Sequence, residues 1–336
     1  MKTSKNRFVA GFAVSALVLG GVAVRADLTW DIQQLTFDGG TKASVSAQNG
    51  SVAWSRFDGS QSEVFLWNGS TIANLTSATG KPGSNVSLYN GTVAGEAADG
   101  IYTWNSATAT RITSEATSGP SLYDGTIAWT HLVSPGTTFE LQYWNGATIQ
   151  TLDTWSDPTH DSWGCSLYQG KVAYKSGGIG GGVWYWDGTQ RIQVDGNGGA
   201  VPSLYDGKIA YVQGGNYISY WDGEHLREVD AASISPSLCS GQIAYCKLVD
   251  NKNWEIMFWD GTATAQVTHG TADVLTPSLD VSSTGTCIAW VQNVGDGQEI
   301  FYARLVPEPS MAALLLLGLA GVARCRRHRD GKNISV

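Results

Sequence analysis

The chain has 336 residues, 42% of them hydrophobic and 15% charged, with only 9 Pro; it is too apolar to be disordered and too poor in Pro to be collagen-like. Its 41 Gly, about 12% against a usual ~7%, point to frequent turns and few helices, hence an all-β protein. Net charge is −8, but without residues 1–26 and 310–336 there remain 12 Lys/Arg against 28 Asp/Glu, a net charge of −16, which repels phosphate backbones and argues against nucleic acid as a partner.

At the N-terminus Lys2, Lys5 and Arg7 precede an apolar run, Phe8 to Val24, broken only by Ser15 and glycines. Val24-Arg25-Ala26 follows, with small residues at its outer positions. Residues 1–26 therefore have the form of a secretory signal peptide cut after Ala26. The alternative, an uncleaved anchor, suffers from a run short of the ~20 residues of a comfortable span. Either way the body, residues 27–306, is exported.

The body repeats itself. Ser-Leu-Tyr-x-Gly-x-(Ile/Val)-Ala-(Trp/Tyr), or a close variant, recurs around Gly50, Gly91, Gly125, Gly170, Gly207, Gly241 and Gly285. In the clearest copies Asp-Gly or Asn-Gly separates two short apolar runs, a β-hairpin signal because both central residues of a type I′ turn need φ > 0. A second motif, Trp-(Asn/Asp)-(Gly/Ser), follows at Trp67, Trp104, Trp144, Trp186, Trp221 and Trp259 and marks another hairpin. Each unit of about 40 residues then holds four strands, which is a propeller blade. The seventh unit runs out after Glu299-Ile300-Phe301-Tyr302, while Ile32-Gln33-Gln34-Leu35-Thr36 precedes the first hairpin and matches the fourth-strand pattern. The expectation is a seven-bladed β-propeller of four-stranded blades closed by an N-terminal strand. The segment Val267 to Val291, with its Thr-Pro-Ser-Leu and Cys-Ile-Ala-Trp-Val, resembles the blade unit of TolB-like, WD40-like propellers, and the likeness extends loosely over all seven units.

In such blades the a-to-b and c-to-d turns share one face, and the b-to-c loops and d-to-a connectors share the other. The uniform Asp-Gly and Trp-Asn-Gly turns fall on the first face and the irregular segments on the second, where binding is expected on general grounds. The richest connector, between blades 3 and 4, holds Asp153, Trp155, Asp157, His160, Asp161 and Trp163 and ends at Cys165. Two indoles among carboxylates suit a sugar, so Trp155, Asp157, His160, Asp161 and Trp163 are the candidate binding residues. The competing reading is that both Trp pack the loop down. Oxygen-rich loops with Asp250, Asn251, Asn253, Trp254 and Glu255, and with Asp296 and Glu299, invite Ca²⁺, but neither fits the D-x-[DN]-x-[DN]-G pattern; no other cofactor is implied. The six turn Trp are expected to pack between blades. His131, His160, His225 and His269 show no H-x-H or H-E-x-x-H spacing, and there is no G-x-S-x-G elbow or P-loop, so no catalytic residue is assigned. Of the five Cys, Cys239 and Cys246 flank one hairpin but sit too far apart along its strands to bridge, and free buried thiols are expected for most of the four in the body.

Residues 307–336 open with Pro307-Glu308-Pro309, continue through an apolar stretch from Met311 to Ala323 and end in Arg324, Arg326, Arg327, His328 and Arg329 before a short tail. Thirteen residues at ~1.5 Å each fall short of the ~30 Å hydrocarbon core, and the basic cluster should stay cytoplasmic. Pro-Glu-Pro, a short apolar helix (311–323) and an Arg cluster resemble the PEP-CTERM sorting signal of Gram-negative bacteria. That resemblance implies an inner-membrane-anchored precursor, processing by exosortase with Pro307, Glu308, Pro309, Arg324, Arg326, Arg327 and Arg329 as the sorting motif, and release to the cell surface or extracellular matrix. The leading reading is a monomeric, non-catalytic propeller that binds exopolysaccharide or a surface protein. The alternatives are a secreted hydrolase or lyase acting on matrix polysaccharide and a TolB-like periplasmic protein-binding module.

Overall fold

The computed structural model describes residues 28–114, 117–133, 137–157, 164–177 and 181–306. Residues 1–27, with the expected signal peptide, and the tail after Val306, including the 311–323 segment, lie outside them. The described residues form seven four-stranded antiparallel sheets; six run in sequence order from the inside out, and in the seventh the outermost strand is Thr29–Gln34, from the N-terminal end of the body. Blade 2 is typical, with strands Ser84–Tyr89, Thr92–Ala97, Gly100–Trp104 and Ala109–Thr113, here named a to d. The a-strand of every blade touches the a-strands of both neighbours, which closes the ring around a central channel. Among the described residues the only helix is Leu75–Thr79, started by Asn74, whose side chain accepts from the Ser77 amide, and stopped by Gly80 at φ +70°.

The b-strands explain why the blades stack. Each carries a β-branched residue, an Ala and usually an aromatic in succession, such as Ile127-Ala128-Trp129 and Ile209-Ala210-Tyr211, and all of these are fully buried. Successive side chains leave a strand on opposite faces. The small Ala therefore makes room on one face for the bulky pair of the next blade. Ala128 packs with Val172 and Tyr174, Ala173 with Ile209 and Tyr211, Ala210 with Ile243 and Tyr245, and Ala289 of blade 7 with Val52 and Trp54 of blade 1. Blade 2 has Gly95 where its neighbours have an aromatic. A Cβ there would lie 3.0 Å from the Trp104 ring, which fills the gap and is itself fully buried.

The Ser of the repeat has a separate task. Its hydroxyl accepts the amide of the residue after the equivalent Ser one blade on: Leu88 to Ser46, Leu122 to Ser87, Leu167 to Ser121, Leu204 to Ser166, Leu238 to Ser203 and Leu279 to Ser237, each at 2.9 Å, and Ala47 to Ser278 at 2.8 Å. Seven hydrogen bonds thus circle the channel and end where they began. Two residues before each Ser the backbone turns left-handed, at Ser44, Asn85, Gly119, Gly164, Val201, Ser235 and Thr276. In six of the seven a-strands this interrupts the ladder as a bulge. Pro120, Pro202, Pro236 and Pro277 directly follow the left-handed residue, where no ladder amide is required. Val201, at φ +49° and 56% exposed, gains little from burial and pays the left-handed strain in full. Val201→Asn should raise stability by about 1 kcal/mol, visible as a higher chemical-denaturation midpoint at unchanged slope; a lower midpoint would contradict this account of the bulge.

Six a-to-b turns, from Asn49-Gly50 to Ser240-Gly241, have φ of 45–51° and then 72–76°, as type I′ requires. The seventh hairpin differs: Asp280 pairs with Cys287, and the ladder continues to Ser282 opposite Gly285, two pairs beyond the level at which Gln48 and Ser51 end the first hairpin. In the c-to-d turns the Asn or Asp after Trp accepts from the amides two and three residues on, as Asn68 does from Ser70 and Thr71. The Gln190 and Thr189 groups do the same for Asp187 and hold its carboxyl at about 2. With the folded value depressed, this support is complete above about pH 4 and is lost as the pH falls towards 2.

The ring is closed by strand Thr29–Gln34, paired with Gly297–Val306 from Thr29 opposite Val306 to Gln34 opposite Phe301. The sequence reading placed this strand at Ile32–Thr36. The last two residues attach differently: the Leu35 amide donates to the Ile300 carbonyl at 2.8 Å, and the Thr36 hydroxyl takes the Ile300 amide at 2.9 Å while donating to Glu299. The other Glu299 oxygen accepts from the Gly39 amide at 2.7 Å, and Lys42, at the start of blade 1, lies 3.1 Å from Glu299 with its side chain fully buried. One buried carboxylate thereby joins the last blade, the closing strand and the first blade. Glu255 repeats the arrangement inside blade 6 with Thr268 and Gly270.

Candidate functional site

The residue after Ser-Leu, or Ser-Ala in the first copy, ends the regular part of each a-strand at the turn face. Around the ring it is Gln48, Tyr89, Tyr123, Tyr168, Tyr205, Cys239 and Asp280. These residues line a cavity of about 460 Å³ at the mouth of the channel, within the ~300–1,000 Å³ of ordinary ligand sites. The four tyrosines form an arc across blades 2 to 5, with successive ring centroids 4.7, 4.7 and 4.5 Å apart and planes tilted by 44–53°. Neighbouring hydroxyls along the arc influence one another. Burial, followed by the neighbouring Tyr123 hydroxyl, raises the Tyr89 phenol, and burial followed by the Tyr205 hydroxyl raises that of Tyr168. Tyr89 and Tyr168 therefore stay uncharged at physiological pH, and the arc offers ring surface together with hydroxyls.

The remaining wall is polar. Gln48 accepts from the Asn90 amide at 2.5 Å, and the Asn49 side chain donates to that of Asn90 at 3.2 Å. Asp280, 4% exposed, accepts from the Gly50 amide at 3.3 Å and from the Ser282 hydroxyl at 2.9 Å. Burial and, more weakly, the nearby Asp280 charge push the Cys239 thiol up. Cys165, Cys239, Cys246 and Cys287 are all free. Cys239 lies opposite Gln242 and Cys246 opposite Ile234, one residue from the simple hairpin count because of the bulge.

The residues expected to bind in the blade 3 to 4 connector are placed as follows. Asp153 and Trp155 belong to strand Ile149–Ser156, so the connector is shorter than the sequence suggested. Trp155 is 8% exposed and packs between Phe139, 6.0 Å away, and Tyr174, 5.6 Å away, in the core shared by blades 3 and 4. Asp153 accepts from the Tyr174 hydroxyl at 2.6 Å and pairs with Arg191 at 3.1 Å. Asp157 is fully buried and its amide donates to the Thr137 carbonyl at 2.6 Å. His160, Asp161 and Trp163 lie outside the described residues. Trp155→Ala should therefore cost about 3–5 kcal/mol; a thermal melt shifted by less than a few degrees would leave Trp155 free for another role.

The turn Trp pack between blades as expected. Trp67 meets Tyr302 at 5.0 Å, Trp221 meets Tyr185 at 5.6 Å and Trp259 meets Tyr220 at 5.3 Å. Two oxygen donors considered for Ca²⁺, Glu255 and Glu299, are taken up by the Thr and Gly clamps described above. Among the described residues no group of three or more His, Cys, Asp or Glu is suited to a metal ion, and no helix is long and apolar enough to cross a membrane.

Residues 305–329 match the PEP-CTERM protein-sorting motif. Among solved structures, the β-propeller domain of the Trilobed protease from Pyrococcus furiosus, described as having an open velcro topology, is similar with a TM-score of 0.58 at 10% identity, over 81% of this chain and 99% of that one. Pyrococcus horikoshii acylaminoacyl peptidase gives 0.59 at 9% identity over 80% of this chain and 52% of that one, so the chain spans about half the length of that peptidase. The WD40 domain of Toxoplasma gondii coronin gives 0.56 at 11% identity, over 84% and 88%. No curated protein matches the chain. At such identities the structural likeness shows the fold alone. The chain thus joins a seven-bladed, WD40-like β-propeller body to a PEP-CTERM sorting motif, the mark of an exported, membrane-anchored precursor handled by exosortase.

Proposed function

We propose that the processed protein resides at the cell surface or in the extracellular matrix, where it binds polysaccharide at the turn-face mouth of its channel and performs no chemistry on it. The tyrosine arc carries this reading. Aromatic rings stack on the C–H faces of pyranoses, and the Gln48 and Asn49 amides with the phenol hydroxyls supply donors and acceptors for sugar hydroxyls. The sorting motif supports a location where such polymers are met. The mouth lies on the face of uniform turns, opposite the variable loops that the sequence favoured, because the ligand-facing residue differs between blades while the turn beside it does not.

A glycan array probed with the full chain in detergent, alongside an assay for released reducing ends, tests the proposal. Binding without release is expected, and Tyr123→Ala and Tyr168→Ala should each weaken it about tenfold or more. Trp163→Ala, on the connector, should leave it intact. The reading fails if no polysaccharide is retained, if reducing ends appear, or if only Trp163→Ala abolishes binding.

A further inference from the structure

The mouth is asymmetric in a way that a neutral sugar would not exploit. Among the described residues lining the cavity, Asp280 supplies the one carboxylate, and it occupies the position that holds Tyr in four other blades. Its described partners are an amide and a hydroxyl, so it is hydrogen-bonded but meets no cation from its own chain in these contacts. Burying an anion is costly unless a counter-charge offsets it. Across the mouth stand four ring systems whose quadrupoles attract cations. Asp124 and Asp206, exposed in the adjacent turns, and the net charge of −16 on residues 27–309 extend the same field outward and draw cations in.

Resting on the polysaccharide reading above, we infer that the mouth recognises a protonated primary amine, so that its polymer carries free, unacetylated amino sugars. Asp280 receives the ammonium, which donates to the carboxylate, while the tyrosines hold the sugar ring and shield the charge pair. An N-acetyl group removes the positive charge and adds bulk at the same point. A uronic acid brings a second negative charge towards Asp280 and is excluded.

The test compares glucosamine hexamers, fully deacetylated and fully N-acetylated, with a glucose hexamer of the same β-1,4 linkage, by calorimetry on the full chain in detergent. The deacetylated hexamer should bind about tenfold to a hundredfold more tightly than either neutral one. Asp280→Asn should bring the three within about threefold of one another, and Tyr168→Ala should weaken all of them. Because Asp280→Asn also changes a buried hydrogen-bond network, the preference is measured a second way on the unaltered protein: it should shrink as salt rises from 0.05 to 0.5 M, taken as rough limits that bracket strong and weak screening. Equal binding of the acetylated and free hexamers, a preference that survives Asp280→Asn, or one insensitive to salt overturns the inference. Tight binding of only neutral or acidic polymers overturns it while leaving the polysaccharide reading intact, whereas failure of every polymer overturns both.

Discussion

A chain beginning at Gly39 should melt more than about 10 °C below the complete one, or aggregate as it is produced. Such a chain lacks Thr29–Gln34, and the whole outer edge of Gly297–Val306 is left with unpaired backbone groups, a ready template for another chain. It also loses Leu28 and Trp30, which pack on the core between blades 6 and 7, and Leu35, which packs between blades 7 and 1. Trp30 alone meets the Phe258 ring at 5.3 Å. Three partly buried apolar side chains are together worth about 3–6 kcal/mol. The lost Thr36 hydroxyl adds about 1–3 kcal/mol by leaving Glu299 short of a donor. For a body of this size ~1 kcal/mol moves the midpoint by about 2–4 °C. An unchanged midpoint by calorimetry would mean that the ring does not depend on its N-terminal strand.

Glu299→Ala should be the most damaging single substitution at the seam, at about 3–5 kcal/mol. It leaves the buried Lys42 ammonium, the Thr36 hydroxyl and the Gly39 amide without their common acceptor, although Lys42 keeps Asp38 at 2.8 Å. Glu255→Ala is the matched control, since Glu255 holds the same Thr and Gly partners within one blade. Hydrogen exchange separates the two. Glu299→Ala should expose the amides of Thr29–Gln34 selectively, while Glu255→Ala should loosen Thr264–Gln266 and spare the closing strand. If both variants leave the closing strand equally protected, Glu299 is an ordinary blade residue and not the junction of the ring.

The number of blades, the hairpins and the N-terminal closure were legible because they are written as repeats, and a repeat needs no knowledge of tertiary contacts. The shift from Ile32–Thr36 to Thr29–Gln34 shows where that stops. Gln34-Leu35-Thr36 copies Gln266-Val267-Thr268, but in both the Thr side chain substitutes for the next ladder bond, so the strand ends before the motif does. Trp155 illustrates a second limit: an indole in a variable segment looks available until the neighbouring blade is in place against it. The channel mouth was hidden for the opposite reason. Tyr89, Tyr123, Tyr168 and Tyr205 belong to the repeat itself and pass for strand residues, and only aligning all seven copies on their Ser brings out Gln48, Cys239 and Asp280 as departures at one position. The Ser ring was equally silent, since a hydroxyl next to a Leu carries no sign of which blade it will reach.

The seam also imposes a timetable. Thr36 and Glu299 are separated by 263 residues, and at synthesis rates of about 5–20 residues per second the first strand waits roughly 15 s to 1 min for its partner. During that interval Thr29–Gln34 has no sheet to join, and its Asp31 together with Gln33 and Gln34 makes it a poor partner for foreign strand edges. Blades 1 to 6 need only local pairing and can form as they emerge, but the last long-range contact, the slowest kind, cannot precede residues 297–306. Those are the final body residues before Pro307-Glu308-Pro309 and the apolar stretch from Met311. The ring can therefore lock no earlier than the point at which the sorting segment itself follows the body in the chain, so closure of the wheel and handling of its tail fall next to each other in time.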